Sequence, residues 1–563
     1  MARAPQPPAV AASLPGAALG WVGRRLGREW RAGPIHRLAL GRPRTDGLAI
    51  RPRDPRPADA EAGQRLLAGV FALGGETLEI GPGGDPWLQP APSHRFAVAL
   101  HRFDWAHDLL ATGEPGARRL LRLWLEWRRE FGVFNAFAWT GEALERRVFN
   151  LACAATDLAP LVSDAEGAAF VDGLARQARH LLGDPGDPGR AAERAAVAAL
   201  AGAALAGKAG EALSARALAR LERLAPEAVL RDGVHASRSP ERGLELLFDL
   251  MALDDALSQR GAPPPPELSR AIDRLSGGVR LLTGPDGRLA AFHGGEASRA
   301  ARVAAALALD SAAGAPARAA PYGGYQRLDG RALRLVVDAG GPPPGAFAGA
   351  ACAQPGAIAV WCEGRRLIEA SVWSARAQVG GALRGPAGGS CLALDELWPG
   401  ATLRHGLLAR DLGERLESAA IDAKADRRET EAATWLDLTH EGWRGVGFTA
   451  VRRIYLDTAA DEVRGEDVLT PAGGARRSLG YAIRFHLAAG VAAQLARDGA
   501  SALLRPAGGH GWRLRGDAGG LRLDADVAFD AGEPRATQVL SLVGRVSPRE
   551  GLRVRWKLSR DDG

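Results

Sequence analysis

Residues 315–340 read APARAAPYGGYQRLDGRALRLVVDAG, and the pattern of apolar residues changes within this stretch. Before it, apolar side chains recur at helical spacing, whereas after it they fall into short, partly alternating runs separated by Gly and Asp. The stretch therefore marks a boundary between a helical region and a region of strands. We predict an α+β multidomain protein in which the helices come first.

Upstream of this boundary, residues 65–315 show the pattern of a series of amphipathic helices. The segment GARRLLRLWLEWRREFG (116–132) places Leu120, Trp124 and Trp127 on one helical face and ends at a glycine, as helices often do. Short Gly- and Pro-rich loops join the helices, which predicts antiparallel pairing of neighbours. Residues 1–64 are rich in Pro and Arg, and we expect an irregular lead-in there.

Downstream of the boundary, residues 316–563 read as short strands. Examples are GAIAVWCEGRRLIEASVW (356–373) and LRVRWKLSR (552–560), in which apolar and polar residues partly alternate. Alternation of this kind is typical of antiparallel sheets with one buried face. We therefore predict an antiparallel β-sandwich for this region.

The charge pattern limits the class of partner. The net charge is +7, but the arginines are scattered between acidic residues, and lysine occurs only at positions 208, 424 and 557. Interspersed charge favours a solvated surface over a nucleic-acid groove, so we expect no nucleic-acid partner. No run of apolar residues is long enough to span a membrane, and the proline-rich amino-terminal stretch is a poor secretory signal. The oligomeric state stays open.

The four cysteines, Cys153, Cys352, Cys362 and Cys391, have no spacing suited to a zinc site. A disulfide scaffold is equally unsupported in a chain of this length. We expect buried free thiols.

Several strings in order resemble the bacterial heparinase II/III-like family. They include RRVFN (146–150), DGVHASRSPE (232–241), THEGW (439–443), VRRIYLD (451–457) and IRFHLAAGV (483–491), and the resemblance runs from about residue 65 to 558. It implies an incomplete (α/α) toroid at 65–315 followed by an antiparallel β-sandwich at 316–563. The characterised members are polysaccharide lyases, so it also implies β-elimination of acidic, uronate-containing glycans and a location in the cell envelope or periplasm. Because no clear signal peptide precedes the toroid, a cytoplasmic location is the alternative.

Lyases of this kind need three groups in one groove. One neutralises the uronate carboxylate, one removes the C5 proton, and one protonates the leaving oxygen. This chain departs from the family's pattern, because Arg242 and Gly243 stand where a Tyr and a His follow the Ser-Pro, and Cys352 or Gln354 stands near the β-domain His. The alternative is therefore a non-catalytic glycan-binding protein of the same fold, and a structural protein without a polar cleft is a third possibility.

The resemblance places the first candidate residues at the start of a long helix. His235 is a candidate catalytic residue, and Arg238 beside it is a candidate for binding a sugar carboxylate. The alternative is that Asp232 and Ser239 only shape and cap the turn before the helix.

The remaining candidates come from two other strings. Arg147 and Asn150 are three residues apart, share one helical face and match a polar pair that the family keeps on an inner toroid helix. We expect them to bind substrate, or else to tie helices together. Tyr325, just after the domain boundary, is the remaining phenol that could act in catalysis, and its alternative is a plain strand-start aromatic.

Two further sets of residues are candidates for binding a metal or a sugar. His440 and His486 fall in β-domain strings where some relatives hold a structural zinc, but the His-x-His-x-Asp element is absent, so we expect no cofactor and no metal. Four tryptophans of the helical region provide either a sugar-stacking surface or core, and their helical spacing favours core. They are Trp105, Trp124, Trp127 and Trp139.

Overall fold

The computed structural model describes residues 22–561, except for 24, 28, 32, 309–315, 344, 378–380, 404–414, 418–420 and 422. The helical region comes first, as predicted. Its named helices are α1 Pro34–Leu40, α2 Ala60–Leu67, α3 His94–Arg102, α4 Ala106–Leu110, α5 Glu114–Phe131, α6 Gly141–Leu158, α7 Asp164–Gly183, α8 Ala191–Ala204, α9 Gly207–Ala228, α10 Pro240–Gln259, α11 Pro266–Leu282 and α12 Ala300–Leu307.

Local sequence explains where these helices begin and what they bury. The segment predicted at 116–132 is α5, which buries Leu120, Trp124 and Trp127. Helix α7 starts with a capping box, in which Ser163 and Glu166 satisfy each other's backbone N–H groups. Successive helices pack in pairs, such as α8 with α9 and α10 with α11. The result is the incomplete toroid of antiparallel helices that the sequence predicted.

The lead-in differs from the prediction. Residues 1–64 were expected to be irregular, but they include α1 and the first part of α2. Arg179 of α7 holds the segment after α1, because its guanidinium donates to the carbonyl of Leu40 at 2.7 Å and to that of Pro43 at 2.6 Å. These contacts join residues far apart in the chain, which is why the local pattern did not show them. A small hairpin, β1 Val70–Leu73 and β2 Glu76–Glu79, also interrupts the helical region.

After α12, the described residues form antiparallel strands, beginning with β3 Ala319–Ala320. The predicted boundary at 315–316 lies at the edge of residues 309–315, which are outside the described part. The remaining strands are β4 Tyr325–Asp329, β5 Leu333–Asp338, β6 Ile358–Cys362, β7 Arg365–Glu369, β8 Leu392–Leu394, β9 Ala401–Leu403, β10 Arg415–Glu417, β11 Ala423–Glu429, β12 Ala433–His440, β13 Phe448–Asp457, β14 Glu462–Pro471, β15 Leu479–Leu487, β16 Ala492–Leu495, β17 Ser501–Arg505, β18 Trp512–Gly516, β19 Gly520–Asp530, β20 Glu533–Val546 and β21 Leu552–Arg560.

Two large sheets make the sandwich. One has the order β11-β12-β13-β14-β21-β18-β17-β16, and the other has the order β19-β20-β15-β7-β6-β5-β4-β3, with β8 paired to β15. Their facing sides bury a core that includes Trp443, Trp512 and Trp556. A separate apolar cluster, containing Val234, Phe292, Tyr325 and Trp361, joins the toroid to the second sheet. The junction between the domains is thus a packed core in its own right.

Candidate functional site

The turn before α10 lies at the junction of the two domains. The Asp232 carboxylate accepts backbone N–H bonds from Tyr322 at 2.6 Å and from Gly323 at 2.7 Å, which fixes the turn to the start of the β-domain. Ser239 is the residue before the first turn of α10, but its side chain makes no capping hydrogen bond. Asp232 therefore shapes the turn as expected, whereas the prediction that the Ser239 side chain caps the helix is wrong.

His235 is buried in this turn. Its Nδ1 accepts from the backbone N–H of Ser237 at 3.1 Å, so the neutral ring carries its proton on Nε2. That Nε2 lies 3.7 Å from Glu193 Oε1. Burial, reinforced by the nearby Arg242 guanidinium, lowers the pKa of His235 to about 3. The imidazole is neutral at physiological pH, and its 1 % exposure leaves it closed to a polymer.

Arg238 is also internal. Its backbone has a positive φ of 58°, and its guanidinium donates to the Gly323 carbonyl at 2.7 Å and forms an ion pair with Asp338. The group also lies 4.9 Å from the centre of the Tyr325 ring. Every one of these partners belongs to the β-domain, so Arg238 links the two domains. The contacts do not support its predicted role in binding a sugar carboxylate.

Tyr325 completes this junction. Its hydroxyl donates to the backbone carbonyl of Arg238, and its ring is fully buried, packed on Phe292. Burial raises the pKa of the phenol well above its ordinary value. Asp338, the ion-pair partner of Arg238, also accepts from His293 Nε2 at 3.0 Å. The Tyr325 phenol donates its proton to a backbone carbonyl and has no exposed surface, so it does not have the geometry of a general acid or base acting on a glycan.

Arg147 and Asn150 lie on α6, away from this junction. Arg147 Nη1 donates to the His101 carbonyl at 2.9 Å, and Asn150 Nδ2 donates to the Arg102 carbonyl at 3.0 Å. Both residues therefore bind the last turn of α3, where free carbonyls need partners. This is the helix-tying alternative set out above, and the contacts do not support substrate binding. The structure brings Arg238 and Tyr325 into contact, places the His235 ring in the same turn but beside Glu193, and leaves Arg147 and Asn150 elsewhere.

A network of paired charges that the sequence did not predict lies beside His235 and surrounds the buried carboxyl groups of Glu145, Glu193 and Glu241. We call it the helix-mouth network, and it consists of Glu142, Glu145, Arg190, Glu193, His235, Glu241, Arg242 and Arg376. It joins α6, α8 and α10 to the loop after β7. The only local sign of it was a set of acidic residues on helices that are otherwise largely apolar, such as Glu193 on α8.

The pairs in the helix-mouth network are short. Arg242 Nη2 lies 2.6 Å from Glu193 Oε1, Arg190 Nη2 lies 2.5 Å from Glu145 Oε1, and Arg376 Nη2 lies 2.9 Å from Glu241 Oε1. Arg376 belongs to the β-domain, so this network also crosses the junction.

Burial and arginine pairing have opposite effects on the pKa values of the two deepest carboxyl groups, Glu145 and Glu193. Burial alone would raise the pKa of Glu193, but Arg242 and Arg190 lower it to about 2. Burial raises the pKa of Glu145 in spite of the opposing Arg190. The arginines of the network therefore hold Glu193 as a carboxylate, while burial dominates at Glu145.

The positions that depart from the family's pattern are occupied by structural contacts. Arg242, which stands in place of the lyase Tyr, also donates to the Gly189 carbonyl at 2.7 Å. Gln354 Nε2 donates to the carbonyls of Leu383 at 2.9 Å and Gly385 at 3.0 Å. Burial raises the pKa of the Cys352 thiol to about 12. None of these three side chains offers a free acid or base.

The remaining candidate groups are also internal. His440 Nδ1 accepts from the Gly442 backbone N–H at 3.3 Å, and His486 Nδ1 lies 2.6 Å from Asp526 Oδ2. Within the described ranges, no group of three or more His, Cys, Asp or Glu side chains could hold a metal ion. Cys352, Cys362 and Cys391 are buried thiols, and Cys153 is half-buried. The four tryptophans of the helical region are at most 3 % exposed and belong to the core, as their spacing favoured.

Comparison with known proteins agrees with this architecture. Residues 312–557 match the family model described as Heparinase II/III-like, C-terminal. The crystal structure of heparinase III superposes with a TM-score of 0.69 at 12 % identity, covering 93 % of this chain and 89 % of that chain. A mutant of the heparan sulfate lyase HepC from Pedobacter heparinus gives a TM-score of 0.58 at 14 % identity, covering 91 % and 86 %. The chain belongs to the heparinase II/III-like family.

A particular relative is much nearer in sequence. FtsZ-localized protein C of Caulobacter vibrioides is 46 % identical over 543 residues, covering 95 % of this chain and 94 % of the relative. The family is thus one of lyase folds, while this relative carries a name that refers to FtsZ. Among the described residues, no helix combines the length and apolar character needed to cross a membrane.

Proposed function

We propose that this chain is a non-catalytic member of the lyase fold that acts as a binding protein localised with FtsZ. The first half of the proposal is that the chain is non-catalytic. The observation that carries it is the helix-mouth network, in which Arg242 replaces the family's Tyr and pairs with Glu193. His235 and Tyr325, the groups that could have substituted, are buried and bonded internally. General acid–base catalysis needs groups within hydrogen-bond reach of the reacting atoms.

The second half of the proposal is supported by the relative named FtsZ-localized protein C, which spans nearly the same length. Because FtsZ is a cytoplasmic protein, this favours the cytoplasmic alternative over the cell envelope or periplasm. Likeness to the lyase HepC supports acidic polysaccharide binding as a second candidate. The lyase activity implied by the resemblance is the competing proposal.

A lyase assay tests the first half. The purified chain is incubated with heparan sulfate, alginate and other uronate-containing polymers, and ultraviolet absorbance reports the unsaturated uronate that β-elimination creates. We expect no product, while heparinase III in parallel gives a strong signal. Product formation by the wild-type chain that is lost in Tyr325→Phe or His235→Gln would overturn the non-catalytic proposal and restore those residues as catalytic. Binding of the same polymers without product would support the glycan-binding candidate.

A localisation experiment tests the second half. A fluorescent fusion of the full chain is imaged in its host together with labelled FtsZ, and depletion of FtsZ serves as the control. We expect the fusion to overlap with FtsZ and to disperse when FtsZ is depleted. A distribution that does not change on depletion would contradict the proposed localisation and leave the result of the lyase assay unaffected.

A further inference from the structure

A large groove lies on the toroid, away from the helix-mouth network. Its volume is about 1490 Å³. One wall is formed by residues 37–48, which comprise the last turn of α1 and the segment that follows it. The other wall runs from the end of α6 into α7, over residues 155–176. We call this cavity the N-terminal groove.

The wall made by residues 37–48 is held in a fixed position. Besides the two bonds from Arg179, the backbone N–H of Ala49 donates to the Ala204 carbonyl at 2.8 Å, and that of Ala206 donates to the Gly47 carbonyl at 2.8 Å. Leu40 is buried against the toroid. The groove is therefore built by tertiary contacts between the segment and α7, α8 and the start of α9.

Three arginines of the N-terminal groove have no acidic partner in the described part of the chain. Arg37, Arg42 and Arg44 are exposed, and no acidic side chain of the described residues forms an ion pair or hydrogen bond with any of them. Exposed cations without local partners are available to an anionic ligand.

Of the acidic residues that line the groove, Asp172 is ion-paired, whereas Asp46 and Asp164 lie at helix N-terminal ends. Asp172 accepts from Arg176 Nε at 2.6 Å. Asp164 lies in the first turn of α7, and the Asp46 carboxylate packs against Gly207, the first residue of α9. Both positions are favoured by the positive end of a helix dipole. With Arg176 and Asp172 paired to each other, the three arginines outnumber the two remaining carboxylates, and both of these carboxylates lie at positions that a helix dipole already favours.

The floor of the groove is apolar. It includes Leu48, Leu158, Val162 and Phe170, while Leu38 stands at the rim with 74 % of its surface exposed. A ligand that fits must therefore offer both carboxylates and apolar side chains. Small-molecule sites usually have volumes of about 300–1,000 Å³, so this groove is large for a metabolite.

We propose that the N-terminal groove binds an extended acidic peptide segment of a partner protein. Its carboxylates would pair with Arg37, Arg42 and Arg44, and its apolar side chains would contact the floor. A planar bilayer cannot enter a concave groove, which favours a peptide over a membrane surface. The chain's own residues 1–20 contain no Asp or Glu and so lack the required charge.

The test measures fluorescence anisotropy with the full chain and two labelled probes. The acidic probe is a peptide of alternating Asp and Leu, about ten residues long, which spans about 33 Å when extended. The neutral probe has Asn in place of Asp. We expect saturable binding of the acidic probe only.

The matched variants separate the groove from general surface charge. The groove variant carries Arg37→Glu, Arg42→Glu and Arg44→Glu together. We expect its dissociation constant for the acidic probe to rise by about tenfold or more, since three attractive contacts between arginine and carboxylate become repulsive. The control is Arg476→Glu, Arg477→Glu, Arg497→Glu, which changes three exposed arginines of the β-domain by the same charge and should alter binding by less than about twofold.

Three outcomes would overturn the proposal. The first is the absence of saturable binding of the acidic probe, and the second is equal loss in both triple variants. The third is sedimentation with vesicles of phosphatidylglycerol and phosphatidylcholine, lost only in the groove variant, without binding of the acidic probe. That last result would assign the arginines to a membrane surface. A matching urea-unfolding midpoint for the two variants ensures that lost binding does not reflect lost folding.

Discussion

The helix-mouth network and the N-terminal groove are two arginine-rich regions of the same toroid with opposite arrangements. In the network, Arg190 and Arg242 are paired with Glu145 and Glu193, whose side chains are at most 5 % exposed. In the groove, Arg37, Arg42 and Arg44 have no acidic partner among the described residues and face solvent. The difference teaches that burial and pairing, rather than the amount of charge, decide whether an arginine serves folding or remains available for binding.

The physical reason lies in desolvation. A buried carboxylate costs several kcal/mol of solvation free energy unless a counter-charge and hydrogen bonds compensate it, whereas an exposed guanidinium keeps its hydration. Each arginine of the network therefore stays paired, because separating the pair would leave a buried carboxylate without a counter-charge. Arginines of the groove can exchange water for an incoming anion.

The largest expected effect comes from breaking a pair in the helix-mouth network. Arg190→Met leaves Glu145, which is 1 % exposed, without its 2.5 Å partner. We expect the free energy of unfolding to fall by about 3–5 kcal/mol, as for other buried pairs that lose one member. Urea denaturation followed by far-ultraviolet circular dichroism measures the change.

A double variant separates the pair from the space it fills. Arg190→Met combined with Glu145→Met removes both charges and keeps similar volume, so it should recover most of the lost free energy of unfolding. If the double variant is as unstable as Arg190→Met alone, the unpaired charge of Glu145 is not the cause.

The fold was predictable because its signals are local. The helical period in 116–132 and the alternation in 552–560 depend only on neighbouring residues, and the structure confirms an incomplete toroid followed by an antiparallel sandwich. The docked lead-in was missed because Arg179 holds it through contacts across more than a hundred residues of sequence.

The candidate site was only partly predictable for the same reason. The sequence drew attention to His235, Arg238 and Tyr325, which all lie at the domain junction, but it could not show that their polar atoms bind backbone groups there. Arg147 and Arg238 were predicted to bind substrate, but both are buried, and Arg147 has the contacts of the helix-tying alternative. Side-chain pairing is a tertiary property, and residue type alone does not reveal it.

A smaller effect concerns the pH dependence of the network. The folded-state pKa of His235 is about 3, below the ordinary value of 6.5, so the unfolded chain binds more protons between these values. Stability is therefore lost as pH falls below 6.5, with a contribution of up to about 1.4 kcal/mol per pH unit from this residue. We expect His235→Gln to flatten the decline of the free energy of unfolding between about pH 6 and pH 4.

The comparison for this prediction is His94→Gln, which alters an exposed histidine of α3. The control should keep the wild-type pH dependence. If the free energy of unfolding of His235→Gln falls with pH as steeply as that of the wild type, protonation of the buried imidazole is not the cause of the pH dependence.

The smallest expected effect comes from the N-terminal groove and completes the contrast. Arg37→Met, Arg42→Met and Arg44→Met, made singly, are the same type of substitution as Arg190→Met but at exposed positions without acidic partners. No buried charge is stranded, so each should change the free energy of unfolding by no more than about 0.5 kcal/mol. Urea midpoints measured beside Arg190→Met give the comparison directly. A loss of several kcal/mol in any of the three would show that the groove arginines already serve folding, and the distinction between the two regions would then fail.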